Sequence, residues 1–178
     1  MTGTTDQRRW YAVQLRPRFE KLVARQMRDK GFEEYLPVYR SRRRWSDRVK
    51  EMELPLFPGY IFCKFDVGQR LPILVIPGVT SIVGTGKVPL AIPDEEIAAV
   101  RNVVASGLTY GPWPSLCTGQ QVRVRSGPLQ GLEGVVLQIR NTYQLIVSVP
   151  LLSRSVSVLI DRESIVPIGD SRARAAAS

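Results

Sequence analysis

The residues of this chain best equipped for chemistry are its cations. Arg18, Lys21, Arg25 and Arg28 are spaced 3, 4 and 3 apart. On a helix that spacing draws a stripe about 15 Å long, at 1.5 Å of rise per residue. A basic stripe can track a phosphate backbone, releasing a counterion for each phosphate it neutralises. Its plainer use is as the wet side of an amphipathic helix. Further on, Arg42, Arg43 and Arg44 precede Trp45 in "SRRRWSDRVKE", joining charge to an aromatic face, a mix useful against nucleic acid. A Trp beside arginines can equally pack on its own hairpin. The distribution of charge supports a polyanionic partner for this region. Residues 1–50 hold 14 Lys/Arg against 6 Asp/Glu, and residues 51–178 hold 11 against 10, so nearly all of the +9 net charge lies in the first 50 residues.

Other chemistries lack their reagents. The chain has no histidine, which removes the commonest general base and metal ligand. No phosphate loop occurs; "VGTGKV" (Val83 to Val88) lacks the spacing and the following Ser/Thr, and reads as a turn. The two cysteines, Cys63 and Cys117, are not paired at zinc spacing. They suit a reducing cytosol as two inert thiols, although a disulfide between them stays open. These absences predict no enzyme, no cofactor and no metal site. No apolar run reaches membrane-spanning length, and "MTGTTDQRR" lacks the apolar core of a signal peptide. A cytoplasmic protein without a membrane partner is expected.

The elements that must position the cations can be read from periodicity. With 178 residues, 44% of them hydrophobic, the chain suits one or two small globular domains. "RRWYAVQLRP" alternates as a strand, with Trp10, Ala12 and Gln14 on one face and Tyr11, Val13 and Leu15 on the other. A helix is predicted from about Phe19 to Lys30, burying Phe19, Leu22, Val23 and Met27 and stopping at Gly31. "YLPVYR" and "YIFCKF" read as strands, and "SRRRWSDRVKE" between them as an extended hairpin arm or loop. "LPILV" predicts a helical turn and Val79 to Val83 a strand. Pro93 with the acidic Asp94, Glu95 and Glu96 marks a helix start, with Ile97, Val100, Val103 and Val104 buried. This order predicts an α+β first domain over residues 8–106, an antiparallel sheet with flanking helices.

Residues 107–119, rich in glycine and proline, read as a linker. Residues 120–168 then offer short, Val/Ile-rich, alternating segments with closely spaced turns, the pattern of a small all-β, SH3-like barrel. The β-branched density argues for strands rather than a helical hairpin. The tail 169–178 reads as disordered. Within "VRVRSGPLQGLEGVV" (Val122 to Val136), Gly127, Gly131 and Gly134 surround a tight turn between two strands, where glycine permits positive φ and close backbone approach. The segment resembles the KOW motif of ribosomal proteins and transcription elongation factors.

One stretch is left over. "ELPLFPGYIFCKFD" (Glu53 to Asp66) sets Leu56 and Phe57 before a Pro-Gly break and an alternating strand after it. A core strand needs the alternation but not the apolar pair before it. "WYAVQLRPRFEKLVARQM", this stretch, "IPGVTSIVG", "IPDEEIAAV" and the KOW segment together, in this order, resemble the NusG family of transcription elongation factors over about residues 8–168. The resemblance implies an NGN domain that docks on the clamp helices of the largest RNA polymerase subunit and disfavours pausing and termination. It also implies a KOW domain that recruits other factors, such as a ribosomal protein or Rho. Carried onto this sequence, the polymerase-binding residues are Leu56, Phe57, Pro58 and Tyr60, with Tyr11 or Gln14 from the first strand. The compact arm is similar to that of the specialised, RfaH-like members, some of which read the non-template DNA strand. Arg16, Arg18, Lys21 and Arg25 are the positions expected there, with Arg42, Arg43 and Arg44 as a second group. A monomer is expected.

The rival reading is a ribosome-associated or general RNA-binding protein working through its KOW domain. Residues 120–168 carry five arginines against three acids, a surplus too small for a primary RNA binder.

Overall fold

The computed structural model describes residues 7–113 and 119–168. Part of the expected linker, the expected disordered tail and Cys117 lie outside them. The chain forms two compact units, divided between Ala98 and Ala99. Among the described residues no helix is long and apolar enough to cross a membrane.

The first unit runs β1 (Arg9–Leu15), α1 (Glu20–Asp29), β2 (Glu33–Tyr35), β3 (Val38–Trp45), β4 (Arg48–Pro55), β5 (Tyr60–Phe65), α2 (Leu71–Leu74), β6 (Val79–Ile82), β7 (Gly84–Thr85) and β8 (Val88–Pro89) into α3 (Asp94–Ala105). Its main sheet is antiparallel in the order β2-β5-β1-β6. β1 lies inside this sheet and is covered on both faces, so Trp10, Tyr11, Ala12 and Val13 are all buried. Tyr11, Val13 and Leu15 join Val23, Ala24 and Met27 of α1 and Ile61, Cys63 and Phe65 of β5 in one core. Trp10 and Ala12 occupy the other face, where Ala12 stands opposite Phe62.

Helix α1 differs from its predicted register in one respect. Its buried side is Glu20, Val23, Ala24 and Met27, while Leu22 is 48% exposed. At about 100° per residue Leu22 is turned well away from the Val23–Met27 arc, and Glu20 and Ala24, not among the expected residues, join the buried side. The helix ends as predicted. Gly31 adopts φ +80, Phe32 N–H donates to Met27 O at 3.0 Å and Gly31 N–H to Arg28 O at 2.9 Å, the glycine-terminated paired cap of a helix end.

β3 and β4 make a two-stranded ribbon that, among the described residues, pairs with no further strand, so the arm is regular hairpin. The predicted strand "YLPVYR" is two strands, because the buried Pro37 separates β2 from β3. "VGTGKV" closes as the β7–β8 hairpin with Thr85 opposite Val88. In α3, Ile97, Val100 and Val103 are buried as expected, and Val104 is half-buried.

The second unit is all-β. Strands β9 (Tyr110–Trp113), β10 (Gln120–Val124), β11 (Glu133–Ile139), β12 (Thr142–Val149), β13 (Arg154–Ile160) and β14 (Ile165–Pro167) form one antiparallel sheet ordered β14-β10-β11-β12-β13-β9. Val122, Val124, Leu145, Val149, Val156 and Val158 fill its core. The linker expectation is corrected here. Residues 110–113 are strand β9, with Val158 opposite Tyr110 and Ser155 opposite Trp113. Backbone pairing to β13 overrides a composition of glycine and proline that reads as loop; Pro112 is tolerated because β9 is an edge strand.

Candidate docking surface and nucleic-acid interface

Two Pro-Gly turns grip the end of β1. In the first, Tyr60 N–H donates to Phe57 O at 3.0 Å across Pro58-Gly59; in the second, Val79 N–H donates to Ile76 O at 3.0 Å across Pro77-Gly78. Gly59 and Gly78 sit at φ +82 and +98, where glycine alone is unstrained. Their carbonyls accept from Leu15 N–H and Arg16 N–H, each at 2.8 Å. The Gly59 N–H donates to Glu20 Oε1 at 3.0 Å. Glu20, 7% exposed, therefore ties the first turn of α1 to the Phe57–Tyr60 turn. Sequence reasoning missed this residue; an acid on the inward arc of an amphipathic helix was the available signal.

The turn places the expected docking residues differently from one another. Leu56 and Phe57 are 2% and 1% exposed, and the Phe57 ring meets Phe62 edge-on at 5.3 Å between centroids. Phe62 in turn stacks with Tyr35 at 6.3 Å. Tyr11 is buried on the α1 side of the sheet against Phe65, at 4.7 Å. Tyr11, Leu56 and Phe57, expected to present an apolar docking surface, are thus buried rather than displayed in this structure, where removing their apolar area from water supports the fold. Gln14, Pro58 and Tyr60 do reach the surface, the first two exposed and Tyr60 half-buried. Gln14 and Tyr60 are direct cross-strand partners. The Gln14 amide oxygen accepts from Ser81 Oγ at 3.1 Å, and Thr80 Oγ1 donates to the Gln14 carbonyl at 3.0 Å.

The predicted cationic residues are all exposed: Arg16, Arg18, Lys21, Arg25, Arg42, Arg43 and Arg44. They do not form the groups expected. Arg18 precedes α1 and takes a left-handed backbone, φ 72, so it leaves the helical stripe. Arg28 pairs with Glu34. Lys21 and Arg25 remain, bordering a shallow groove of about 350 Å³ floored by Tyr35 and Leu36. In the ribbon, Arg42 stands opposite Glu51 and pairs with it at 2.9 Å. Arg43 stands opposite Lys50, and Trp45 opposite Arg48. Alternation puts Arg42 and Arg44 on one ribbon face and Arg43 and Trp45 on the other, so the arginine triplet does not act as one patch.

In the second unit, Gly127 and Gly131 adopt φ +90 and +88, and Gly131 N–H donates to Val124 O at 2.8 Å. Gly134 serves by closeness instead: a Cβ there would lie 2.6 Å from Ile146 O on the neighbouring strand. The buried Leu129 anchors the turn. Two further groups are perturbed. Burial, with Glu34 and Glu33 adding to it, pushes the Cys63 thiol up to about 12. Burial and then Glu95 raise the Glu96 carboxyl above its usual range. Among the described residues no cluster of acids, cysteines or histidines can hold a metal ion.

The family model described as "Transcription termination factor nusG" matches residues 8–101. The chain belongs to the NusG family. Relatives named as NusG transcription termination/antitermination proteins align along nearly their whole length. That of Thermus thermophilus is 27% identical, covering 88% of this chain and 97% of that protein. That of Escherichia coli K12 is 29% identical, covering 86% and 93%. The solved structure described as "Domain interaction in Thermotoga maritima NusG" covers 91% of this chain and 98% of that one, with a TM-score of 0.56 at 20% identity, a likeness of fold. NusG proteins are transcription factors rather than enzymes. The first unit supplies the NGN domain, and the second the β-rich KOW domain.

Proposed function

We propose that this NusG-family protein is a cytoplasmic elongation factor that binds the clamp helices of the largest RNA polymerase subunit and suppresses pausing and termination. The docking surface is Gln14, Pro58 and Tyr60, held up by an aromatic row of buried Phe57 and Phe62 and half-buried Tyr35. The observation that carries the reading is the conjunction of the family match over residues 8–101 with this cross-strand pair beside an exposed proline. Tyr60 supplies an aromatic anchor on a rigid turn, Gln14 a polar handle, and neither is needed inside the core.

The basic surface around Arg16, Lys21 and Arg25 lies at the same end of β1 and the start of α1, and takes the exposed non-template strand. The KOW domain recruits a second factor, a ribosomal protein or Rho. The compact β3–β4 arm favours a specialised, operon-restricted role.

The test is equilibrium binding of the full chain to core RNA polymerase. Replacing Gln14 and Tyr60 together by alanine should weaken binding by about 30-fold or more, the usual consequence of losing a central aromatic anchor. The thermal midpoint should hardly change. Unchanged affinity removes the proposed surface.

A further inference from the structure

The β3–β4 ribbon carries a segregation of charge that its composition hides. Its cross-strand pairs are Arg40↔Glu53, Arg42↔Glu51 and Arg44↔Val49 on one face, and Ser41↔Met52, Arg43↔Lys50 and Trp45↔Arg48 on the other. Cross-strand partners share a face. Both ribbon glutamates therefore fall on the Arg42 face, where Arg42 is already paired with Glu51. Among the paired residues the Trp45 face holds Arg43, Arg48 and Lys50 and no acid; Asp47 lies in the turn between Trp45 and Arg48. These three cations form no ion pair among the described residues, and all are exposed. Trp45 beside them is 62% exposed.

A large aromatic ring left in water at the end of a ribbon, on the same face as three cations, suits one kind of partner. Cations call for phosphates, and a free indole face calls for a flat ring. In a duplex each base is already stacked on both sides, leaving only edges and backbone to a ribbon in the groove. An unpaired base offers its whole face. We propose that the Trp45 face of the ribbon is a contact for single-stranded nucleic acid, with one unpaired base on the indole and flanking phosphates on Arg43, Lys50 and Arg48. This rests on the nucleic-acid half of the proposed function, but places a site on the ribbon, separate in sequence from the α1 cations.

The test is titration of the full chain with a labelled 12-nucleotide oligothymidylate and with a 12-base-pair duplex, at several salt concentrations. The parent should prefer the single strand. Trp45→Ala should weaken that binding by roughly 5- to 150-fold, the range for losing one stacked base, while Trp45→Phe keeps most of it. Arg43→Ala with Lys50→Ala should lower the slope of log K against log salt by about 1.4, two phosphates at about 0.7 each. Arg40→Ala with Arg42→Ala removes the same charge from the other face and should leave the slope nearly unchanged. An equal loss from both pairs, unchanged binding by Trp45→Ala, or preference for duplex overturns the proposal. If only Lys21→Ala with Arg25→Ala abolishes binding, the nucleic-acid reading stands and the ribbon site falls. If the parent binds neither probe, or the ribbon variants lose only polymerase affinity, the ribbon contacts protein and the proposal falls.

Discussion

Replacing Phe57 by alanine should unfold the NGN sheet more than it disarms any interface. The ring is 1% exposed and packs edge-on against Phe62 at 5.3 Å. Truncating a buried phenylalanine removes its transfer free energy and leaves a cavity, about 3–5 kcal/mol together, with the aromatic contact included in that loss. Set against a domain stability of roughly 5–15 kcal/mol, that is a large fraction. With a urea slope of about 2 kcal/mol per molar, the unfolding midpoint should drop by about 2 M. Trp10, 3% exposed on the same sheet face, can report it by fluorescence once Trp45 and Trp113 are replaced by phenylalanine. That choice isolates the first domain, since two domains need not unfold together. A midpoint within a few tenths of a molar of the parent, combined with lost polymerase binding, would refute the reasoning and return Phe57 to the interface.

Two further outcomes follow from perturbed groups. Glu96 has a buried carboxylate oxygen without a hydrogen-bond partner among the described residues, and its carboxyl is raised by burial and then by Glu95. The folded chain thus holds this proton more tightly than the unfolded one, so stability present below the unfolded value, about 4.3, is lost as pH rises through the folded value. Glu96→Gln should raise the thermal midpoint at pH 7 and leave it unchanged near pH 3; an identical pH profile for the two proteins would contradict this. Cys63, buried with its thiol pushed up to about 12, should resist a thiol reagent at pH 8 in a Cys117→Ser background and react fully in denaturant. Rapid native labelling would show that β5 opens.

Most of the fold was legible because its signals are local. The alternation of β1, the Gly31 stop, the Pro93-acid start of α3 and the KOW glycines each act within a few residues. β9 was not legible, because a strand at the sheet edge needs only a partner backbone, and residues 110–113 read as loop chemistry. The site was half legible. "LFPGY" announced a turn, and the turn is there, but no local signal tells a buried aromatic before a Pro-Gly break from a displayed one. That depends on Phe62 and Tyr35, which arrive from other strands. Tyr11 and Gln14 could be told apart by parity alone: they lie on opposite faces of β1, and only Gln14 shares a face with Tyr60. The arginine triplet failed for the same reason, since neighbours on a strand face opposite ways.

The most direct measurement is site-specific photocrosslinking from position 60 in the full chain bound to core RNA polymerase, with the crosslinked peptide identified by mass spectrometry. The account predicts a crosslink to the clamp helices of the largest subunit from position 60 and none from buried position 57. Crosslinks from position 60 only to another subunit, or to none in a complex that forms with full affinity, would contradict it.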